Sequence, residues 1–353
     1  MQTGIERNIG EIDLKGIIED ALSKARDSHP SRRMGASSLG SPCEREIYLK
    51  FRWAAHELND NVSNMRFIIG DIVEEKVIDA LRLAGMVIEY TGKDQIELDI
   101  APHVVCYPDG LVRSGVPGAE KTEHNLEVKS MNSRDFKTLQ KKGVKDTKPR
   151  HYSQMQLEMY GLSKKLGRRI ERTLYVVVCK NLDKFEIYCE RVRYDEAEKD
   201  RLLDKAEHIR TANELPNGVS TSPSWEGCRM CNFSHFCHVS HESLMVNCRT
   251  CCHSTPKEDG TWSCRLDEKY KWGIGALDMG MQTNGCRYHT FIPHLVPYPF
   301  MEDESTEDAC AFQMPDGSIV IDGLGGADSH DLWKIGRPQP VDSEGNPIEN
   351  IPF

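Results

Sequence analysis

Seven cysteines fall between Cys228 and Cys264, most of them in C-x-x-C groupings, and nothing in the 353-residue chain constrains its folding more. A segment that short and that rich in thiols is too small for a core of its own and needs cross-links or metal ions to hold a shape. The N-terminus carries Glu6, Arg7, Glu11 and Asp13 and no apolar signal stretch. The longest apolar run, Leu174 to Cys179, falls far short of the roughly 20 residues a bilayer span needs. A soluble, cytoplasmic chain is expected, and in that reducing compartment clustered thiols read as metal ligands rather than disulfides.

The first set, Cys228, Cys231 and Cys237, is spaced C-x2-C-x5-C. Three thiolates leave a tetrahedral site one ligand short, which Cys43, His235 or His238 would complete. The second set, Cys248, Cys251, Cys264 and Cys286, forms two knuckle-like pairs around a Trp-bearing segment. It reads as a zinc ribbon for Zn2+, with His289 and Cys252 in reserve. Cys106, Cys179 and Cys189 fall in strand patterns and are expected as buried apolar residues. Cys310 is expected to stand without neighbours.

The formal charge of −10 is unevenly placed. Residues 301–353 hold twelve acidic and two basic residues, so residues 1–300 are neutral by count and an anionic substrate remains open. Periodicity predicts helices over 9–29, 64–84, 132–141, 150–165 and 194–213, with a further early helix carrying Cys43, Arg45 and Tyr48. Strands are predicted over 86–91, 95–100, 103–113, 124–130, 173–180 and 184–191. The order implies an α/β fold, a mixed sheet flanked by helices, with metal-bound appendages. The expected divisions are N-terminal helices (1–60), a core (61–215), the first cysteine segment (216–241), the second (242–295) and an acidic tail (296–353) in which 311–323 could form a hairpin.

Chemistry concentrates in the predicted core. Asp109 ends one strand pattern in Cys106-Tyr107-Pro108-Asp109-Gly110, and the next holds Leu126-Glu127-Val128-Lys129-Ser130. Two apart in a strand, Glu127 and Lys129 share a face. With Asp109 on a neighbouring strand, two carboxylates and an ammonium would converge. Carboxylates so placed hold Mg2+ or Mn2+, which activate water and neutralise charge building on a phosphate, while a lysine positions the nucleophile or stabilises the transition state. On their own, Glu127 and Lys129 are also what a solvated strand face would carry. Glu74 shares a helical face with Gly70, Ile78 and Leu81, where a lone carboxylate is costly without a metal or a partner. Lys137, Lys141, Lys142, Lys145, Lys148 and Arg150, opposed by Asp135 and Asp146, would make a surface that tracks phosphates without sequence preference.

These residues resemble the PD-(D/E)XK nuclease superfamily, and within it the RecB-like and phage-exonuclease branch. The resemblance implies a restriction-endonuclease-like core in which Asp109 and Glu127 bind the metal, the Val128 carbonyl is a further ligand, and Glu74 matches the acidic residue carried on a helix before the sheet. The run His151-Tyr152-Ser153-Gln154-Met155-Gln156-Leu157-Glu158-Met159-Tyr160 looks like that family's glutamine helix. Gln154 fits the phage spacing Tyr/His-x-x-Gln-x-Gln and Gln156 fits Gln-x-x-x-Tyr; Gln154 ranks first, to orient water and phosphate with Lys129, and Tyr160 joins the DNA-binding surface. Cys43 with Cys228, Cys231 and Cys237 resembles the iron–sulfur members, the AddB-type helicase–nucleases and CRISPR-associated adaptation nucleases. That likeness implies a structural [4Fe–4S] cluster on four thiolates, with zinc on the same ligands, or on three of them and His235 or His238, as the alternative.

The expected function is a Mg2+- or Mn2+-dependent deoxyribonuclease, an exonuclease before an endonuclease, acting on linear ends or single strands in phage-type recombination and repair. Its expected partners are DNA and a recombination or annealing protein, with no membrane. Two other readings share the motifs: a non-catalytic nucleic-acid-binding adaptor, and a CRISPR-type adaptation nuclease working with an integrase.

Overall fold

The short connections between apolar stretches, marked by Gly, Pro and Asp, break residues 34–193 into strands, with helices between some of them: β1 (Met34–Gly35), β2 (Val87–Glu89), β3 (Leu98–Ala101), β4 (Val104–Cys106), β5 (Gly110–Ser114), β6 (His124–Met131), β7 (Arg172–Cys179) and β8 (Ile187–Arg193). The structure, a computed structural model, describes residues 31–55, 61–181, 186–239 and 244–332, together with Ile17 and Ala21. Apart from those last two positions, the helix expected over 9–29 lies outside the described residues. The chain divides into two units, Met1–Pro42 with Glu57–Glu207, and Cys43–His56 with His208–Phe353. No helix among the described residues is long and apolar enough to cross a membrane.

In the first unit a five-stranded mixed sheet runs β2-β5-β6-β7-β8. Only β6 and β7 pair in parallel, with Glu127 opposite Tyr175 and Lys129 opposite Val177. Parallel neighbours need a long crossover, and the helices Ser133–Thr147 and Pro149–Leu166 supply it. Alternate residues of these strands point to opposite faces. Leu126, Val128, Leu174, Val176 and Val178 pack with Val77 and Ile78 of helix Asn61–Leu83. On the other face Met131, Tyr175, Val177 and Cys179 pack with Phe136, Leu139, Val144 and Met155 of the crossover helices. Burial on both faces explains the near-continuous apolar run of β7.

Two expectations are corrected here. The single strand expected over 103–113 is two strands in two sheets, β4 lying between β1 and β3 while β5 joins the large sheet. Pro108 has no N–H to give to a ladder, and the chain changes sheets at Tyr107–Asp109. Cys189, expected buried, is exposed because β8 is an edge strand with one open face.

Helix Pro149–Leu166 opens with proline, whose missing N–H costs nothing in the first turn, and stops at Gly167 in the left-handed region. Its depth against the N-terminal segment is set by Gly40. A Cβ there would lie 2.9 Å from both Cα and O of Arg150 and 3.2 Å from Cβ of Ser153. Gly40→Ala is therefore expected to lose about 1–3 kcal/mol of stability by overpacking, read as a lower Tm in thermal unfolding. An unchanged Tm would refute this close approach.

The second unit contains two antiparallel hairpins, β9 (Ser254–Pro256) with β10 (Trp262–Cys264), and β11 (Ala309–Gln313) with β12 (Ile319–Gly323). Its interior is aromatic and arginine-rich. Arg249 is almost fully buried with its guanidinium carbon 3.7 Å from the Trp53 ring centre and 4.8 Å from that of Trp262, and it donates to the Phe51 carbonyl at 3.0 Å. The hairpin expected over 311–323 is thus present and starts two residues earlier, and its Ala309, Cys310, Ala311 and Phe312 are buried. Cys310, expected without neighbours, lies beside the Cys252 thiol, whose hydrogen bond holds the Cys310 thiol below its ordinary value. Residues 333–353 of the acidic segment lie outside the described residues.

Candidate active site

The ladder between β5 and β6 ends at the pair Gly110 and Leu126, so β6 runs on with one flank free of β5. Asp109 stands just before β5 and fills that flank. Its Oδ2 accepts a hydrogen bond from the Val128 N–H at 2.7 Å, and the residue is 7% exposed. In a strand a residue's N–H and C=O share a side, so the Val128 carbonyl belongs to the same flank. Glu127 and Lys129 project from the face of β6 that looks toward helix Pro149–Leu166. Lys129 Nζ lies 2.5 Å from Glu127 Oε1 and 4.0 Å from Asp109 Oδ2.

That helix contributes Gln154, whose Nε2 donates to Glu127 Oε2 at 3.2 Å and to Glu158 Oε1 at 2.7 Å. Gln156 is fully buried and turned elsewhere, its Oε1 accepting from the Asp195 N–H at 2.7 Å. Glu158, not singled out from the sequence, is also fully buried and accepts from Asn125 Nδ2 at 2.8 Å. The only local signal for it was its place four residues after Gln154, on the same helical face. His151 pairs through Nδ1 with the Tyr175 hydroxyl at 2.7 Å. Burial, with the Lys129, Lys148 and Arg150 charges, pushes this imidazole down to about 3, so it is neutral.

Four carboxyl groups meet one ammonium in this space. Burial, then the Asp109 charge, raises both Glu74 and Glu158 to about 7. Burial raises Asp109 as well, and burial with the Glu158 charge lifts Glu127 well above its ordinary range. Burial acts to lower Lys129, but the Glu127 and Asp109 carboxylates prevail and hold it above its ordinary value. Every one of these shifts states the same thing: the site has more negative charge than it can solvate.

Among the described residues, no three His, Cys, Asp or Glu side chains are gathered as a ready metal cage. The donor chemistry does fit a hard divalent cation, since the Asp109 charge acts on both Glu127 and Glu74 and puts each of them in repulsion with it. The ammonium of Lys129 sits beside the Glu127 and Asp109 oxygens that such a cation would share.

Of the basic residues expected to follow DNA, Lys137, Lys141, Lys142 and Arg150 are exposed. Lys145 is paired with Asp195 at 3.1 Å and Lys148 with Asp135 at 2.6 Å. The Tyr160 ring lies under the Lys199 ammonium, 5.2 Å from its centre.

Both cysteine sets fall in the second unit, and all of these thiols are free of disulfides. Burial, then Glu46, Cys237 and Cys43, pushes the Cys231 thiol up to about 12. Burial, then Cys251, Cys286 and Cys264, does the same for Cys248. Within each set the thiols are therefore near enough to feel one another's charge, though neither set forms a ready cage. His289, held in reserve for the second set, is engaged by Thr250 and Ser329 at 3.2 and 2.9 Å.

No protein-family model and no curated protein matches the sequence. Solved structures similar to it include the following. An alkaline exonuclease (LHK-Exo) from Laribacter hongkongensis is 19% identical over 54% of this chain and 90% of its own, with a TM-score of 0.37. The same enzyme in complex with dAMP is 18% identical over 50% and 86%, with a TM-score of 0.37. SSO0001 is 17% identical over 66% and 97%, with a TM-score of 0.38. Likenesses of this size carry nothing about chemistry, which has to be read from the residues themselves.

Proposed function

We propose that the protein is a divalent-metal-dependent deoxyribonuclease, an exonuclease acting at linear DNA ends, on a PD-(D/E)XK-type core. The observation that carries the reading is the Asp109 carboxylate bonded to the Val128 N–H while Glu127 and Lys129 share the adjoining face. A strand that merely faced solvent would not bury two carboxyls around one ammonium. Asp109 and Glu127, with Glu74 and the Val128 carbonyl, would hold Mg2+ or Mn2+, which when bound supplies Lewis-acid activation of water and offsets charge building on the phosphate. Lys129, fixed by Glu127, would donate to the attacked phosphate, and Gln154 would orient the attacking water. Lys137, Lys141, Lys142 and Arg150 would follow the phosphate backbone.

In the second unit, Cys43, Cys228, Cys231 and Cys237 would ligate a structural [4Fe–4S] cluster, and Cys248, Cys251, Cys264 and Cys286 would bind Zn2+. Support for both is the mutual electrostatic influence of the thiols within each set.

The test is to purify the full chain without oxygen and incubate it with end-labelled linear and circular DNA, with Mg2+, Mn2+ or a chelator. Metal-dependent loss of linear but not circular DNA is expected, with a broad absorption band near about 400 nm and zinc by elemental analysis. Intact DNA binding without cleavage of any substrate would replace this reading with the adaptor. A colourless protein with zinc in both sets would remove the iron–sulfur assignment.

A further inference from the structure

We infer that Glu158 is a positioning residue of this site, fixing which end of the Gln154 side-chain amide faces Glu127. A glutamine amide can turn over at little cost, and its partners decide which end points where. Here both neighbours are carboxylates. Gln154 Nε2 lies 2.7 Å from Glu158 Oε1 and 3.2 Å from Glu127 Oε2. With both carboxyls ionised the nitrogen must face them, because a turned amide would set its oxygen against two acceptors. The amide oxygen is thereby directed away from both carboxylates and left to accept from an entering water.

Glu158 is itself held rigidly. Its Oε2 accepts from Asn125 Nδ2 at 2.8 Å, and the same nitrogen reaches Thr173 Oγ1 at 3.2 Å. Asn125, Glu158 and Thr173 are all fully buried, and Asn125 is opposite Thr173 in the β6–β7 register. The four residues close a ring because two spacings match. Asn125 and Glu127 are two apart on one face of β6, about 6.6 Å along a strand. Gln154 and Glu158 are four apart on one helical face, about 6 Å along a helix. Helix and strand are thus tied at both ends of the ring, and Glu158 is the corner that keeps Gln154 on Glu127. That Gln154 serves hydrolysis rests on the nuclease reading; that Glu158 orients it does not.

Glu158→Gln tests this, because it keeps the shape but replaces one acceptor with a donor. The new amide cannot accept from both Asn125 and Gln154, so one of the three amides must turn. The side-chain amide signals of Gln154 in the 15N-labelled full chain, identified by their loss in Gln154→Ala, are expected to shift in Glu158→Gln. The kcat for DNA hydrolysis is expected to fall about 10–100-fold, the usual effect of removing such a partner, with KM within about twofold. The double substitution Asn125→Asp with Glu158→Gln restores an acceptor on one side and a free oxygen for Gln154 on the other. It is expected to recover both the signals and the rate.

Unmoved Gln154 signals and an unchanged kcat in Glu158→Gln would overturn the inference. So would a double variant that fails to recover either, including the case where Glu158→Gln alone does not fold. If wild type cleaves no DNA while the Gln154 signals still move in Glu158→Gln and return in the double variant, the nuclease reading falls and the positioning role stands.

Discussion

Replacing Lys129 with alanine is expected to lower the rate of DNA hydrolysis by about 10²–10³-fold or more. Lys129 lies 2.5 Å from Glu127 and 4.0 Å from Asp109, the compact positive charge among carboxyls that burial has already driven up. Its loss removes a donor for the developing phosphate charge and also the cation that limits how far Glu127 and Asp109 are raised. The ammonium is partly exposed, so the stability loss should be smaller than the roughly 3–5 kcal/mol of breaking a fully buried pair. Without the cation both carboxyls rise further in the folded state. The variant's stability deficit should therefore widen as pH rises, since a raised carboxyl stabilises below its unfolded value and loses that contribution as it ionises. Lys129→Arg keeps the charge but spreads it over a planar fork, and should recover the stability more fully than the rate. Single-turnover cleavage of end-labelled DNA with parallel Tm measurements checks this; a Lys129→Ala rate within about threefold of wild type would remove Lys129 from the chemistry.

The parts of this architecture that local spacing dictates were legible in the sequence. Glu127 and Lys129 share a face because they are two apart in a strand, and the apolar run of β7 marked a strand over 173–180. What depends on matching between elements was not. Gln154 and Gln156 point about 200° apart on a helix, and only packing reveals that Gln156 is spent on the Asp195 N–H while Gln154 meets Glu127. Asn125 and Glu158 carry no local mark, because their meaning lies in a strand spacing that fits a helix spacing. Cys310, on the β11–β12 hairpin, acquires Cys252 as a neighbour from a distant stretch of the sequence. In the basic run from Lys137 to Arg150, Lys148 pairs with Asp135 and Lys145 with Asp195, the latter lying well beyond the run in sequence. The merged strand over 103–113 failed at Pro108, a breaker that a run of strand-forming neighbours obscured.

Mn2+ is expected to bind at least about tenfold more tightly at about pH 8 than at about pH 6, because metal must displace the proton that burial keeps on Glu74. A ligand whose proton leaves at about 7 is almost wholly protonated at the lower pH and almost wholly ionised at the higher, which gives that factor for a single proton. Glu127, raised well above its ordinary value, can only steepen the dependence. Stability without metal gives a less direct reading, because two slopes oppose each other. The raised Glu74 and Glu158 stabilise at low pH and lose that contribution as pH climbs from about 4.5 through about 7. His151, pushed down to about 3, works the other way, adding stability as pH rises toward its unfolded value of about 6.5. The metal-dependent difference isolates the carboxyls, so calorimetric titration with Mn2+, or the Tm increase it causes, should be compared at the two pH values. Glu74→Gln should flatten the dependence while weakening binding at the higher pH. Equal Mn2+ affinity at both values would mean that the raised carboxyls are not the metal's ligands, and the geometry around Asp109 would then have to be read as a lysine-neutralised ion cluster instead.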